Sequence, residues 1–153
     1  MQPINPFAFD ITDEEIDDFK RESEKILRSG TLVLGEYTRR FEQAFAEFIG
    51  VKHAISVNSG TSALEILLRL KRVENKTVLV PTNTNFATVA AVLRAGGHVR
   101  YLDMEKATFA PTLAMVQEAV ERQHTSLPAI AGVLWVHIGG VISPEFPSVV
   151  EYY

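Results

Sequence analysis

Two hydrophobic rhythms alternate along the chain: apolar residues spaced by three and four, and short unbroken apolar runs. Residues 1–11, interrupted by Pro3 and Pro6, read as an extended arm. Thr12-Asp13-Glu14-Glu15 has the pattern of a capping box, and Ile16, Phe19, Ile26 and Leu27 follow near one helical face. Gly30 ends that helix, and Thr31 to Gly35 is a short apolar loop. A second helix is predicted from about Tyr37 to Ile49, with Gly50 where a left-handed cap is wanted. Its Phe41, Phe45 and Phe48 share one stripe, which reads as core. The run Ala54–Val57 then reads as a strand, Asn58-Ser59-Gly60 as a turn, and Ala63, Leu64, Leu67 and Leu68 as the apolar face of a helix.

The same rhythm continues towards the end. Thr77–Val80 is an all-apolar run of the kind buried on both faces of a parallel sheet. A polar loop from Pro81 to Asn85 leads to a helix predicted to turn Phe86, Val89, Ala90, Val92 and Leu93 inward, closed by Gly96-Gly97. Val99–Leu102 and Ile130–Val136 read as further strands, with a helix capped by Thr112 between them. Ser143-Pro144 is predicted to open a last helix with proline at its first position. Alternating strands and helices indicate an α/β fold with a mainly parallel sheet. In such sheets ligands bind outside the carboxyl ends of the strands. The loops at 58–62, 81–85, 103–108 and 137–140 would share that rim.

Composition narrows the possibilities. The 153 residues carry 46% hydrophobic and 22% charged side chains, the balance of one globular domain. A net charge of −4 argues against a nucleic-acid partner. The absence of cysteine excludes disulfides and thiolate metal sites and is compatible with a cytoplasmic setting. The amino terminus lacks the pattern of a signal peptide, and no apolar run reaches the ~20 residues that span a bilayer. His53, His98, His124 and His137 stand on different elements without metal-ligand spacing, and only His137 lies on the expected rim. Neither a phosphate loop ending in Lys-Ser/Thr nor a dinucleotide fingerprint is present.

The chemistry concentrates at Ser59-Gly60-Thr61-Ser62. A helix start leaves backbone N–H groups unpaired and sits at the positive end of the helix dipole, so it favours an anion. Gly60 lets the backbone approach that anion with no Cβ in the way.

The run Gly30…Gly35, Phe41-Glu42, Phe45, Gly50-Val51-Lys52-His53-Ala54 and Asn58-Ser59-Gly60-Thr61-Ser62-Ala63-Leu64 resembles the amino-terminal part of the DegT/StrS-type sugar aminotransferases. The likeness continues through Val80-Pro81-Thr82-Asn83-Thr84, Tyr101-Leu102-Asp103 with Thr108, and Val136-His137 with Gly139-Gly140. It implies a partial fold-type-I large domain that binds pyridoxal 5'-phosphate (PLP), with 1–28 as arm and first helix and 29–153 as the amino-terminal portion of that domain. It also implies a homodimer acting on a keto nucleotide sugar and an amino donor. By resemblance, Gly60, Thr61 and Ser62 contact the cofactor phosphate. Asn85 occupies the place where the family commonly stacks an aromatic residue on the ring, so either its amide plane covers the ring or Phe86, one place later, takes over. A core position for Phe86 fits its helix pattern better.

The resemblance also marks what these residues do not supply. A PLP transaminase needs a lysine to bond the cofactor and a carboxylate to hold its ring nitrogen charged. Lys20, Lys25, Lys52, Lys71, Lys76 and Lys106 do not match the family's lysine motif, and Asp103 matches a different position. The resemblance further implies that later strands separate Ala54–Val57 from the others, so the chain reads as a fragment with sticky, exposed strand edges. The alternative is a non-catalytic remnant that binds an anion or serves as a dimerisation half.

Overall fold

The structure, a computed structural model, describes residues 9–123 and 126–152. Most of the expected arm and His124 lie outside these. The chain divides into two compact units, Met1–Ser56 and Val57–Tyr153.

The first unit holds two helices, α1 (Asp13–Ser29) and α2 (Glu36–Ile49). The capping box forms as its sequence predicts: Glu15 N–H donates to Thr12 Oγ1 at 3.2 Å, and Thr12 N–H donates to Glu15 Oε2 at 2.8 Å. Gly30 and Gly50 close the helices in left-handed conformation, at φ of 71° and 76°. Within α1 and α2 only Ala46 is buried. The phenylalanine stripe expected to be core is exposed, Phe48 at 85%. Helical periodicity identifies an apolar face, but a face becomes core only where something covers it.

The second unit is the α/β body. Three parallel strands, β1 (Thr77–Pro81), β2 (His98–Leu102) and β3 (Ile130–Val133), pair in the order β2-β1-β3. The central strand is buried along its whole length, so its alternate side chains feed two cores. Val78 and Val80 meet Val73, Val92 and Ala95 on one face, beneath α4 (Phe86–Arg94), which packs against α3 (Gly60–Leu70). Leu79 meets Leu102, Val116, Ala119 and Val149 on the other, beneath α5 (Leu113–Glu121) and α6 (Phe146–Tyr152). Helices on both faces are what an all-parallel sheet requires. Between α4 and β2 the chain reverses at Gly96, φ 80°, and Gly97, where a Cβ would lie 3.1 Å from Val92 Cγ1.

Four local expectations are corrected. Ala54–Val57 is no strand: a strand needs a neighbour, and none pairs with it among the described residues. Ile55 is exposed, and Ser56 N–H donates instead to the Glu42 carboxylate at 2.6 Å. The last strand ends at Val133 rather than Val136, after which Leu134 N–H still donates to Leu79 O at 2.9 Å. The final helix starts at Phe146 rather than Pro144, because Ser143 first closes a turn, its carbonyl accepting from Phe146 N–H at 3.1 Å. On α4 the buried stripe is Thr88, Ala91 and Val92, while Leu93 and Phe86 are exposed, Phe86 at 80%. The helix is rotated so that its small side chains meet the sheet and its bulkier ends do not.

Candidate functional site

Direction is what assembles the rim. Helix α3 passes through the turn at 71–76 directly into β1, and α4 leaves β1 through residues 82–85. Both helices therefore run against the strands, and both amino termini lie at the sheet's carboxyl edge. Gly60, Thr61, Ser62 and Asn85 are brought to the same end of one helix pair.

Ser59 is extended, φ −163° and ψ 157°, and its side chain turns back on the helix start. Its Oγ accepts from Ser62 N–H at 3.2 Å and donates to Ser62 Oγ at 3.1 Å. With Ser62 Oγ as acceptor, its own hydroxyl proton has no acceptor among the described residues. Ala63 N–H is taken by Ser59 O at 3.1 Å. The N–H groups of Gly60 and Thr61 have no hydrogen-bond partner among the described residues. A Cβ at Gly60 would meet nothing within 4 Å, so the approach is open. No acidic residue occupies the first turn of α3, so no carboxylate competes for the dipole.

Asn85 begins α4. Its side-chain oxygen accepts from Ala87 N–H at 2.8 Å, so the amide is held as a helix cap. Neighbouring loop residues are tied down as well: Thr84 Oγ1 donates to Thr88 Oγ1 at 2.8 Å, and Asn83 Nδ2 donates to Phe109 O at 2.8 Å. Phe109 itself is in left-handed conformation, φ 52°, a feature with no signal in the residue pattern. Asp103 uses its carboxylate on Met104 N–H at 2.8 Å. His137 is exposed on the rim beside α6, its ring edge-on to Phe146 with centroids 4.9 Å apart. Trp135, also stacked near Phe146, buries its indole N–H with no partner among the described residues.

The helix pair is fastened away from the rim, between the second half of α3 and the last turn of α4. Glu65 Oε2 accepts from Arg94 Nε at 2.6 Å, and Glu65 Oε1 accepts from Arg69 Nε and Nη2 at 3.0 Å each. Arg69 also donates to the Arg94 carbonyl. Hydrogen bonds from Arg94 and Arg69 hold the Glu65 carboxyl below its ordinary range. Only the Glu65–Arg69 half, at helical spacing, is legible in the sequence.

The lysines of this unit stand elsewhere. Lys71 caps the carboxyl end of α3, about 16 Å along the helix from its start. Lys76 precedes β1, and Lys106 lies on an exposed turn after β2. In the first unit Lys20 and Lys25 pair with Asp17 and Glu22, and Lys52 is exposed. Among the described residues no three His, Asp or Glu side chains cluster to hold a metal, and no helix is long and apolar enough to cross a membrane.

Comparison with known proteins gives this rim a context. The chain is 30% identical over 139 residues to the 3-oxo-glucose-6-phosphate:glutamate aminotransferase of Bacillus subtilis, covering 90% of the chain and 30% of that protein. It is 32% identical over 118 residues to a UDP-N-acetyl-3-dehydro-alpha-D-glucosamine 3-aminotransferase of Acidithiobacillus ferrooxidans, covering 76% of the chain and 30% of the relative. Among solved structures it is similar to NtdA from Bacillus subtilis with bound cofactor PMP. That match has a TM-score of 0.79 and 29% identity, covering 94% of this chain and 32% of that one. The chain thus spans about a third of the length of these relatives, and its fold is that of part of a fold-type-I PLP aminotransferase. The model of the DegT/DnrJ/EryC1/StrS aminotransferase family matches residues 13–152, and the chain belongs to that family.

Proposed function

We propose that this chain carries the phosphate-holding part of a PLP site in an aminotransferase that converts a keto sugar into an amino sugar. The observation that carries the reading is the open, acid-free start of α3. There the unpartnered N–H groups of Gly60 and Thr61 and the Ser62 hydroxyl stand together in the first turn, at the sheet's carboxyl edge. Three donors on a helix amino terminus suit a phosphate dianion in charge and number. That end of the cofactor fits.

When bound, PLP supplies the electron sink on which amino-group transfer depends. This chain's residues bind and orient it. The α3 amides fix the phosphate, and α4 presents a covering group for the ring. With the Asn85 amide committed to its cap, exposed Phe86 is the better ring cover of the two. The covalent lysine and the carboxylate for the ring nitrogen are assigned to no residue here, because Lys71 and Lys76 stand at the wrong edge and Lys106 lies outside the motif. The sugar substrate and an amino donor belong to the proposal, supported by the names of the relatives; a homodimeric assembly and a cytoplasmic setting belong to it as what the family resemblance implies.

The test is titration of the chain with PLP, followed by amide spectra and equilibrium dialysis. The Gly60 and Thr61 amides are expected to shift, and Ser62→Ala to weaken binding by roughly tenfold to a hundredfold, the loss of one charge-assisted hydrogen bond. Borohydride is expected to trap no stoichiometric lysine adduct. Unmoved amides would overturn the phosphate assignment, and a stoichiometric adduct would overturn the placement of the lysine. A non-catalytic remnant would share the phosphate site and lack any sugar binding, which titration with a nucleotide sugar distinguishes.

A further inference from the structure

We propose that Glu65 is a positioning residue for this site: by tying the middle of α3 to the last turn of α4, it sets the spacing between the phosphate-holding start of α3 and the ring-covering start of α4. The inference rests on the PLP reading and goes beyond it, since Glu65 touches neither half of the site.

The two halves belong to different helices, so their relative placement depends on how those helices pack. Apolar contacts along the pair are made by small or half-buried side chains such as Leu68, Val89 and Ala95. Such contacts are non-directional and tolerate sliding. The clamp does not. The Glu65 side chain is only 17% exposed and accepts Nε of both arginines. Arg69 continues across to the Arg94 carbonyl, which fixes the last turn of α4 as well. Two directional contacts cross between the helices, Arg94 Nε to the Glu65 carboxylate and Arg69 Nη2 to the Arg94 carbonyl, while the Glu65–Arg69 pair within α3 holds both crossing groups in place; together they set distance and rotation between the helices. Removing the carboxylate also leaves two guanidinium groups side by side with no counter-charge, which pushes the helix ends apart. A misplacement of about 1 Å at the far end is enough to cost a bound ring much of its fit.

The consequence separates two ligands. Inorganic phosphate needs only the α3 start, whereas PLP needs α3 and α4 in register. Glu65→Gln and Arg94→Met are therefore expected to weaken PLP by roughly tenfold while changing inorganic phosphate less than about twofold. Glu65→Asp, which keeps the charge, should recover part of the loss. Because the chain has no cysteine, nitroxide labels at Thr61→Cys and Phe86→Cys give the spacing directly, and its distribution should broaden in both clamp variants. An unchanged label spacing overturns the proposal, as does a parallel fall in PLP and phosphate affinity, which marks a merely structural role. If the spacing responds but Ser62→Ala leaves phosphate and PLP binding untouched, the clamp stands and the PLP reading falls.

Discussion

The two units of this chain both carry amphipathic helices and use their apolar faces differently. In 57–152 a three-stranded sheet is covered on both faces, and Leu79, Val80, Val92 and Val116 are wholly enclosed. In 9–56 the helices are as amphipathic, yet Ala46 alone is buried, and order comes from local devices. These are the Thr12 capping box, glycine caps, and ion pairs such as Lys20–Asp17, Arg21–Asp18 and Arg28–Glu24. Exposed pairs of that kind each add little, about 0–1 kcal/mol. The contrast teaches that helical pattern and fold stability are separate properties: the first unit has the pattern, and the second has the burial.

The sharpest way to break the comparison is a pair of truncations. Leu79→Ala should cost about 2–5 kcal/mol in urea unfolding, the transfer and cavity terms together. Phe48→Ala should cost no more than about 0.5 kcal/mol, as an exposed substitution does. A cost above about 2 kcal/mol for Phe48→Ala would mean that its stripe is covered in solution, and the contrast would fail.

A smaller effect separates local from tertiary order. Thr12→Ala removes the cap acceptor and should destabilise α1 by about 1 kcal/mol. The loss should appear as faster amide exchange across 13–20 with no change in the exchange of β1. Equal acceleration in β1 would show that the two units unfold as one.

The smallest effect is set by pH. Glu22 is held at about 2, below its ordinary 4.5, first by the hydrogen bond from Lys25 and then by the one from the Tyr37 hydroxyl. A carboxyl with a lowered folded value contributes stability in full above its unfolded value and loses it as pH falls through the folded one. The α1–α2 contact through Tyr37 should therefore loosen between pH 4.5 and about 2, and Tyr37→Phe should move the Glu22 midpoint upwards. Carbon-13 titration of the carboxyl measures both. A midpoint unmoved by Tyr37→Phe would show that the cations Lys25 and Arg21 carry the shift without the hydroxyl. Because Lys25 is solvent-exposed, added salt should shrink its part of the effect.

Much of the fold was legible from residue order. The capping box at Thr12, the glycine caps at Gly30 and Gly50, and the buried run at Thr77–Val80 all formed as their local chemistry requires. The errors share a cause. Ala54–Val57 has strand composition, but strand formation depends on a partner that composition does not name. Phe86 and Phe48 have the spacing of core residues, but burial depends on which face a neighbour covers. At the rim, the helix start at Ser59–Ser62 could be read from a serine, a glycine and an apolar period. The commitment of the Asn85 amide to its cap and the left-handed Phe109 could not.

By itself the sequence determined the helices and their caps, because caps, turns and hydrophobic periods act over three or four residues. It also determined the polar, acid-free start of α3. Only the tertiary structure decided that α3 and α4 run side by side with both amino termini on the sheet's carboxyl edge, and that one carboxylate joins Arg69 to Arg94 across the pair. Those relations link residues 25 and 29 positions apart. They exist only after β1 has threaded between its neighbours and fixed where each helix can lie.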